Sequence, residues 1–269
     1  KDRVVCHRYR EKVTEFGCFC MRNLMKLAAH RLPFGERLLT AYRVRQERKH
    51  LTLLKRKNTA EIFTEYYKTN FWQNPETLSG DGSTSEYTET LRKQLPILFA
   101  KLEVATLLDA PCGDYNWFQH VLRPTWLQYM GGDIVGELIE RNNQIFSNET
   151  TRFVTLDIIT DKLPPAQLWM CRDVLFHFSN EDIFKTLSNL VRSDIDYFLT
   201  SSHTEVRENE DIPTGWFRLL NLREPPFNFP EPILEINDYV KGFPVRKMGL
   251  WTRRAISETL FSTQGHATQ

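Results

Sequence analysis

Five short apolar runs constrain this chain more than any other feature: VATLLDA (104–110), WLQYMGGD (126–133), RFVTLD (152–157), QLWMCRD (167–173) and IDYFLTSS (195–202). Each is apolar on both faces, so each reads as a strand covered from both sides. The segments between them, about 117–121, 136–146 and 180–192, read as helices. Buried strands alternating with helices give a parallel sheet with helices on both faces, an α/β fold. The closing LWTRRAI (250–256) reads as a last strand running into a helix.

Nearly every run ends on a polar group: Asp109, Asp133, Asp157, Arg172-Asp173, and Ser201-Ser202-His203. Ligands of open parallel sheets sit outside the carboxyl ends of the strands, so these groups should meet in one polar crevice. Taken singly, each acid could equally be a helix cap or half of a surface ion pair. Asp133 closes the second strand, where a carboxylate accepts from the two hydroxyls of an adenosine ribose. A dinucleotide site would also need Gly-x-Gly-x-x-Gly to admit a pyrophosphate at a helix N-terminus. Here the turn is Ala110-Pro111-Cys112-Gly113-Asp114-Tyr115, with one glycine and a second acid that would repel phosphate. These residues point to a phosphate-free nucleoside carrying positive charge. S-adenosylmethionine (SAM), with its sulfonium and ammonium, fits that description.

LLDAPCGD, MGGDIVGELIERN, FVTLDI and LWMCRDVLFHFS together resemble the motifs of the class I SAM-dependent methyltransferases, over about residues 79–255. The Asp-Ala-Pro-Cys-Gly-Asp turn and the stretch Glu208-Asn209-Glu210-Asp211-Ile212-Pro213-Thr214-Gly215 resemble a bacterial-type, glycan-associated small-molecule group of that superfamily. The chain departs from the superfamily's glycine-rich turn at Pro111 and Tyr115. The resemblance implies a Rossmann-like, mostly parallel seven-stranded sheet, with a methyltransferase domain at 73–269 behind a basic helical N-terminal extension at 1–72. It implies SAM as cofactor. Asp109, Ala110, Pro111, Cys112 and Gly113 would frame the methionine end, and Asp133 and Ile134 the ribose and adenine. Asp157 and Ile158 would lie at the adenine edge, Cys171 and Arg172 under the sulfonium, and the Gly80-Asp81-Gly82-Ser83 loop over the cofactor as a lid.

Methyl transfer to a hydroxyl or amine needs an acceptor held in line and relieved of a proton. Asp173 is the first candidate base. His177 is the second, four residues on, where one helical face would let Asp173 orient it. His203 is the third. The polar, aromatic stretch 203–230 should cover an acceptor pocket through Asn209, Trp216, Arg218 and Asn221, with Tyr115 and Trp117 nearby. Such a lining suits a small polar substrate such as a sugar, and the expected reaction is methylation of a glycan or glycan-precursor hydroxyl.

Charge supplies the alternatives. Residues 1–57 hold 16 Lys and Arg against 5 Asp and Glu, leaving 19 against 29 in the remainder. This arm reads as two basic helices broken at 32–35, followed by a short aromatic helix at 59–72. It could grip nucleic acid, an anionic membrane surface or the chain's own acidic body. An RNA or protein methyltransferase, or a non-catalytic scaffold of the same fold, therefore stands beside the small-molecule reading. The loop 79–89 should lead into a helix capped by Thr84 or Ser85. The five cysteines form no Cys-x-x-Cys pair, which indicates neither a metal site nor a disulfide framework. No apolar stretch reaches the ~20 residues of a membrane span. The sequon at Asn148 is weak evidence for secretion, and a cytoplasmic location is favoured. The chain starts at Lys1 rather than Met, so an upstream segment could precede it.

Overall fold

A computed structural model describes residues 57–265, together with residues 52 and 54. Apart from residues 52 and 54, the two basic helices expected before residue 57 lie outside the described residues. The sheet contains β1 (Thr106–Asp109), β2 (Gln128–Asp133), β3 (Thr151–Thr155), β4 (Leu168–Cys171), β5 (Tyr197–Ser202), β6 (Leu234–Asn237) and β7 (Lys247–Thr252). Their spatial order is β3-β2-β1-β4-β5-β7-β6. β1 to β5 run parallel, and β7 enters antiparallel between β5 and β6. Strand order reverses between β1 and β4, which opens a crevice at their carboxyl ends.

Alternation along each strand explains why both faces are apolar. Leu107, Leu168, Met170 and Leu199 point to one core, and Leu108, Trp169, Cys171 and Phe198 to the other. Helix α2 (Glu89–Lys101) and α3 (Gly136–Phe146) cover the first face. Helix α4 (Asn180–Val191) and α5 (Arg253–Gly265) cover the second. In α2, Leu91, Leu95, Leu98 and Phe99 share one stripe, each 2% exposed or less. Burying each of these side chains contributes roughly 1.5–3 kcal/mol.

Three expectations needed correction. The helix foreseen after β1 is only a 3-10 turn, Phe118–His120. The Ala110–Asp114 turn therefore does not run directly into an α-helix, and the expected repulsion of phosphate by Asp114 at the start of such a helix has no helix behind it. Helix α2 begins at Glu89 rather than after Thr84. Thr84 Oγ1 instead accepts from the Tyr87 N–H, and the Thr88 side chain makes no cap bond. β6 had no clear signature, since only Ile236 of its four residues is buried.

Residues 57–72 pack on the sheet domain. Helix α1 (Thr59–Lys68) is capped by Asn58 and Glu61, which exchange side-chain and backbone bonds. Ile62, Tyr66 and Phe71 join Ile212 and Trp216 in a third apolar cluster. The Tyr66 hydroxyl donates to the Gly215 carbonyl at 2.8 Å. Gly215 has φ +92°, and a Cβ there would stand 2.7 Å from Ile62. Among the described residues no helix is long and apolar enough to cross a membrane.

Candidate active site

A cavity of about 420 Å³ opens at the carboxyl ends of β1, β2 and β4. The first turn supplies Pro111, Cys112 and Gly113 to the cavity wall. β1 ends at Asp109, and the Ala110 N–H continues the ladder to the Met170 carbonyl at 3.0 Å. The Trp169 indole N–H donates to the Ala110 carbonyl at 2.8 Å, and the Cys112 N–H to Gly132 at 2.8 Å. Gly113 sits at φ +56°, with Ser79 Oγ only 2.3 Å from where a Cβ would lie. Only glycine fits there.

Asp109 and Asp133 are buried carboxylates on the cavity wall. Asp109 accepts from the Tyr129 hydroxyl at 2.7 Å. Burial pushes its pKa up to about 7, against the partial relief of that bond. Asp133 accepts from the Gly113 N–H and the Val135 N–H, both at 3.1 Å. Burial raises it to about 6, with those N–H groups working in the opposite direction. Asp157 also lines the cavity, its oxygens engaged by the Ile159 N–H at 2.9 Å and the Thr160 hydroxyl at 3.0 Å. Ile134, Val135, Leu138, Leu156 and Ile158 supply an apolar wall between the last two acids.

Asp114 has a different task. Its carboxylate accepts from the Thr77 hydroxyl at 2.8 Å, the Leu78 N–H at 2.8 Å and the Ser79 hydroxyl at 3.1 Å. It pins the preceding loop across the turn. The next residues, Asp81–Ser83, make a 3-10 turn on the cavity wall. A Cβ on Gly82 would meet Asp173 Oδ2 at 2.7 Å, so the loop rests directly on that carboxylate.

Beside it lies a charge cluster that the sequence did not reveal. Arg172 donates through Nε and Nη2 to Asp238, both at 3.0 Å, and through Nη2 to the Gly82 carbonyl at 2.8 Å. Arg246 Nη1 lies 3.0 Å from Asp173 Oδ2, and its Nε 3.0 Å from Asp238 Oδ2. Two guanidiniums and two carboxylates thus balance. The rings of Tyr87 and Trp117 cover Arg172, and Tyr87 and Phe176 cover Arg246. Asp173 also accepts from the Ser201 hydroxyl at 2.8 Å. Its backbone has φ +59°, a strained value for a residue other than glycine. Burial alone would raise its pKa, but Arg172 and Arg246 outweigh that and hold it below the usual carboxylate range. Asp238 and Arg246 come from the β6–β7 region, 66 and 74 residues beyond Arg172, and no local spacing announces them.

Of the predicted site residues, Gly80, Gly82, Ser83, Asp109, Pro111, Cys112, Gly113, Trp117, Asp133, Ile134, Asp157, Ile158, Arg172, Asp173, His177 and His203 line this one cavity. The others do not. Ala110 and Cys171 are fully buried, Ala110 packing toward Gly132 and Cys171 sitting in the sheet core. Tyr115 turns away among Phe118, Tyr129, Phe146 and Phe153. Asn209 donates to the carbonyls of Asn221, Glu224 and Pro225, and Asn221 to that of Val206. Arg218 is taken up by Asn180, Glu210 and Phe178. Trp216 joins the α1 cluster. Residues 203–230 therefore form a packed wall, with His203 and Phe217 reaching the cavity. Thr59, Phe63, Tyr67 and Trp72 from α1 and the following loop complete the lining.

The expected Asp173–His177 pairing is not made. A 3-10 turn, Leu175–His177, replaces the helical turn, and the imidazole bonds to the Trp216 carbonyl instead. Cys112 and Cys171 are free thiols whose pKa values burial raises. No group of His, Cys, Asp and Glu among the described residues is arranged to hold a metal ion.

No protein-family model and no curated protein matches the chain. Solved structures do. The chain is similar to a SAM-dependent methyltransferase from Leishmania major, with a TM-score of 0.55 and 15% identity over 73% of this chain and 84% of that one. It is also similar to human N-acetylserotonin methyltransferase solved with SAM, with a TM-score of 0.50 and 15% identity. That match covers 75% of this chain and 65% of the human one, just under two thirds of its length. The chain has the fold of the class I SAM-dependent methyltransferases.

Proposed function

We propose that this chain, built on that fold, binds SAM and transfers its methyl group to a hydroxyl of a small polar acceptor, such as a glycan or glycan precursor. One observation carries the reading. Asp109, Asp133 and Asp157, from the ends of three neighbouring strands, line a single cavity with a one-glycine turn and an apolar wall. That set of acceptors suits a cationic nucleoside. Asp133 accepts from ribose hydroxyls, Ile134 and Ile158 flank the adenine, and Asp109 and Gly113 face the amino-acid end. Bound there, the cofactor supplies an electrophilic methyl on a sulfonium. The chain's own residues orient the acceptor, exclude water and receive a proton. Trp72 and Phe217 offer flat apolar faces of the kind that stack on sugar rings.

The test is calorimetry of the purified chain with SAM and with its demethylated product, S-adenosylhomocysteine (SAH). Saturable heat with both is expected, and its absence in folded protein removes the reading. The basic residues 1–57 favour a second reading, a macromolecular acceptor gripped by the arm.

A further inference from the structure

Two histidines line the cavity beside Phe176 and Phe217, and backbone groups fix their tautomers in opposite senses. His177 Nδ1 lies 2.8 Å from the Trp216 carbonyl oxygen. A carbonyl only accepts, so this nitrogen carries the hydrogen and Nε2 keeps a bare lone pair. His203 is reversed, because the Leu220 N–H donates to its Nδ1 at 3.1 Å. Nδ1 is the acceptor there, and Nε2 carries the hydrogen.

Neither Nε2 has a hydrogen-bond partner among the described residues, and both rings line the cavity. Both pack on Phe176, with ring centroids 4.7 and 5.4 Å away. Each ring makes one hydrogen bond within the fold, through Nδ1, and lies on the cavity wall. Both rings are thus fixed at Nδ1, and neither Nε2 is taken up by another described residue of the cavity wall. Burial, partly offset by the Trp216 carbonyl, lowers the pKa of His177 to about 4. Burial and the charge of Arg246 lower that of His203 to about 3. The charged groups acting on the two rings are Asp173 and Arg246. At neutral pH this wall presents one acceptor and one donor, both uncharged.

Resting on the methyltransferase reading above, we propose that His177 and His203 select an uncharged hydroxyl as methyl acceptor, and that His177 Nε2 takes its proton. A hydroxyl gives its hydrogen to His177 while accepting from His203. An ammonium has no lone pair for His203, and a carboxylate has no hydrogen for His177. As the acceptor oxygen bonds to the methyl carbon, the carbon–sulfur bond breaks and its electron pair stays on sulfur. The hydroxyl proton passes to His177 Nε2 and later to solvent. The imidazolium formed is stabilised by Asp173, whose charge raises the basicity of His177. Asp173 acts through that field rather than as the base, because Arg172 and Arg246 hold its carboxylate.

Long-range proton–nitrogen NMR on the full-length, nitrogen-15-labelled chain tests the pair. Peaks are assigned with His177→Asn and His203→Asn. Should either variant fail to fold, the contact of His177 with Trp72, 5.1 Å between centroids, identifies the rings in the wild type. At pH 7, His177 should show a protonated Nδ1 and a bare Nε2, and His203 the reverse. With SAH present, phenol as a hydroxyl probe should shift both Nε2 resonances, while benzylammonium and benzoate should not shift the two together. Matching tautomers, a cationic ring at pH 7, silence with phenol, or an equal response to benzylammonium each overturn the proposal. Calorimetry with SAH on the same sample separates the two claims. Heat with matching tautomers leaves cofactor binding intact and removes the pair. Opposite tautomers without heat remove the methyl-transfer reading and, with it, the hydroxyl's role as acceptor.

Discussion

Asp133 is tied into the fold through both carboxylate oxygens, and in the proposed reading those oxygens also hold the ribose. It accepts from the N–H groups of Gly113 and Val135 and lines the cavity. Asp133→Ala should weaken SAH binding at least tenfold by calorimetry, since a hydrogen bond to a charged group contributes about 1.5–3 kcal/mol. Asp109 and Asp133 also set a pH dependence. Both are raised in the free protein, to about 7 and about 6, and a cationic nucleoside favours their ionised forms. Binding must displace protons at low pH, so affinity should rise between about pH 5 and pH 8. Titrations in buffers of different ionisation enthalpy should register the proton release. The same raised values act on stability with a fixed sign. The contribution of Asp109 is fully present below its unfolded pKa and is lost as pH rises through about 7. The Tm of Asp109→Asn relative to wild type should therefore increase from pH 5 to pH 8.

At the scale of elements, the cavity depends on pieces outside the alternating core. The loop that Asp114 ties down ends on Gly82, with Asp173 Oδ2 2.7 Å from the site of an added Cβ. Gly82→Ala should lift the loop or displace Asp173 from Arg246. Overpacking of this kind typically costs about 1–3 kcal/mol. It should lower Tm and weaken SAH binding together. Helix α1 is held by the Tyr66–Gly215 bond and by packing of Ile62 and Tyr66 in one cluster with Ile212 and Trp216. Tyr66→Phe leaves the buried Gly215 carbonyl without its hydroxyl donor. A loss of about 1 kcal/mol in denaturant unfolding is expected.

At the scale of the whole molecule, charge is divided between a basic first segment and an acidic remainder. Deleting residues 1–57 should leave SAH affinity within about twofold, because the strand-end acids and α1 remain; calorimetry on the shortened chain checks this. If the arm grips nucleic acid, full-length binding to RNA should fall steeply with salt and vanish in the deletion, since phosphate contacts release counterions. Salt-insensitive behaviour in both chains would leave the small-molecule reading alone.

The sequence by itself determined the strands β1 to β5 and their acidic rim. Runs such as QLWMCRD carry their own signal, since a strand buried on both faces must be apolar at every position and polar only where it emerges. Asp109, Asp133 and Asp157 could therefore be placed at one edge from spacing alone. Only the tertiary structure decided what surrounds them. Arg172 meets Asp238 across 66 residues, and His177 and His203 take their tautomers from the carbonyl of Trp216 and the N–H of Leu220. Tyr115, Arg218 and Asn221 carry the same side-chain chemistry as cavity-lining residues, yet the packing turns them inward. Pairings of this kind depend on which backbone atoms and side chains the folded chain brings together. A one-dimensional pattern records only neighbours a few residues apart, and so it fixed the strands and their rim but not the partners.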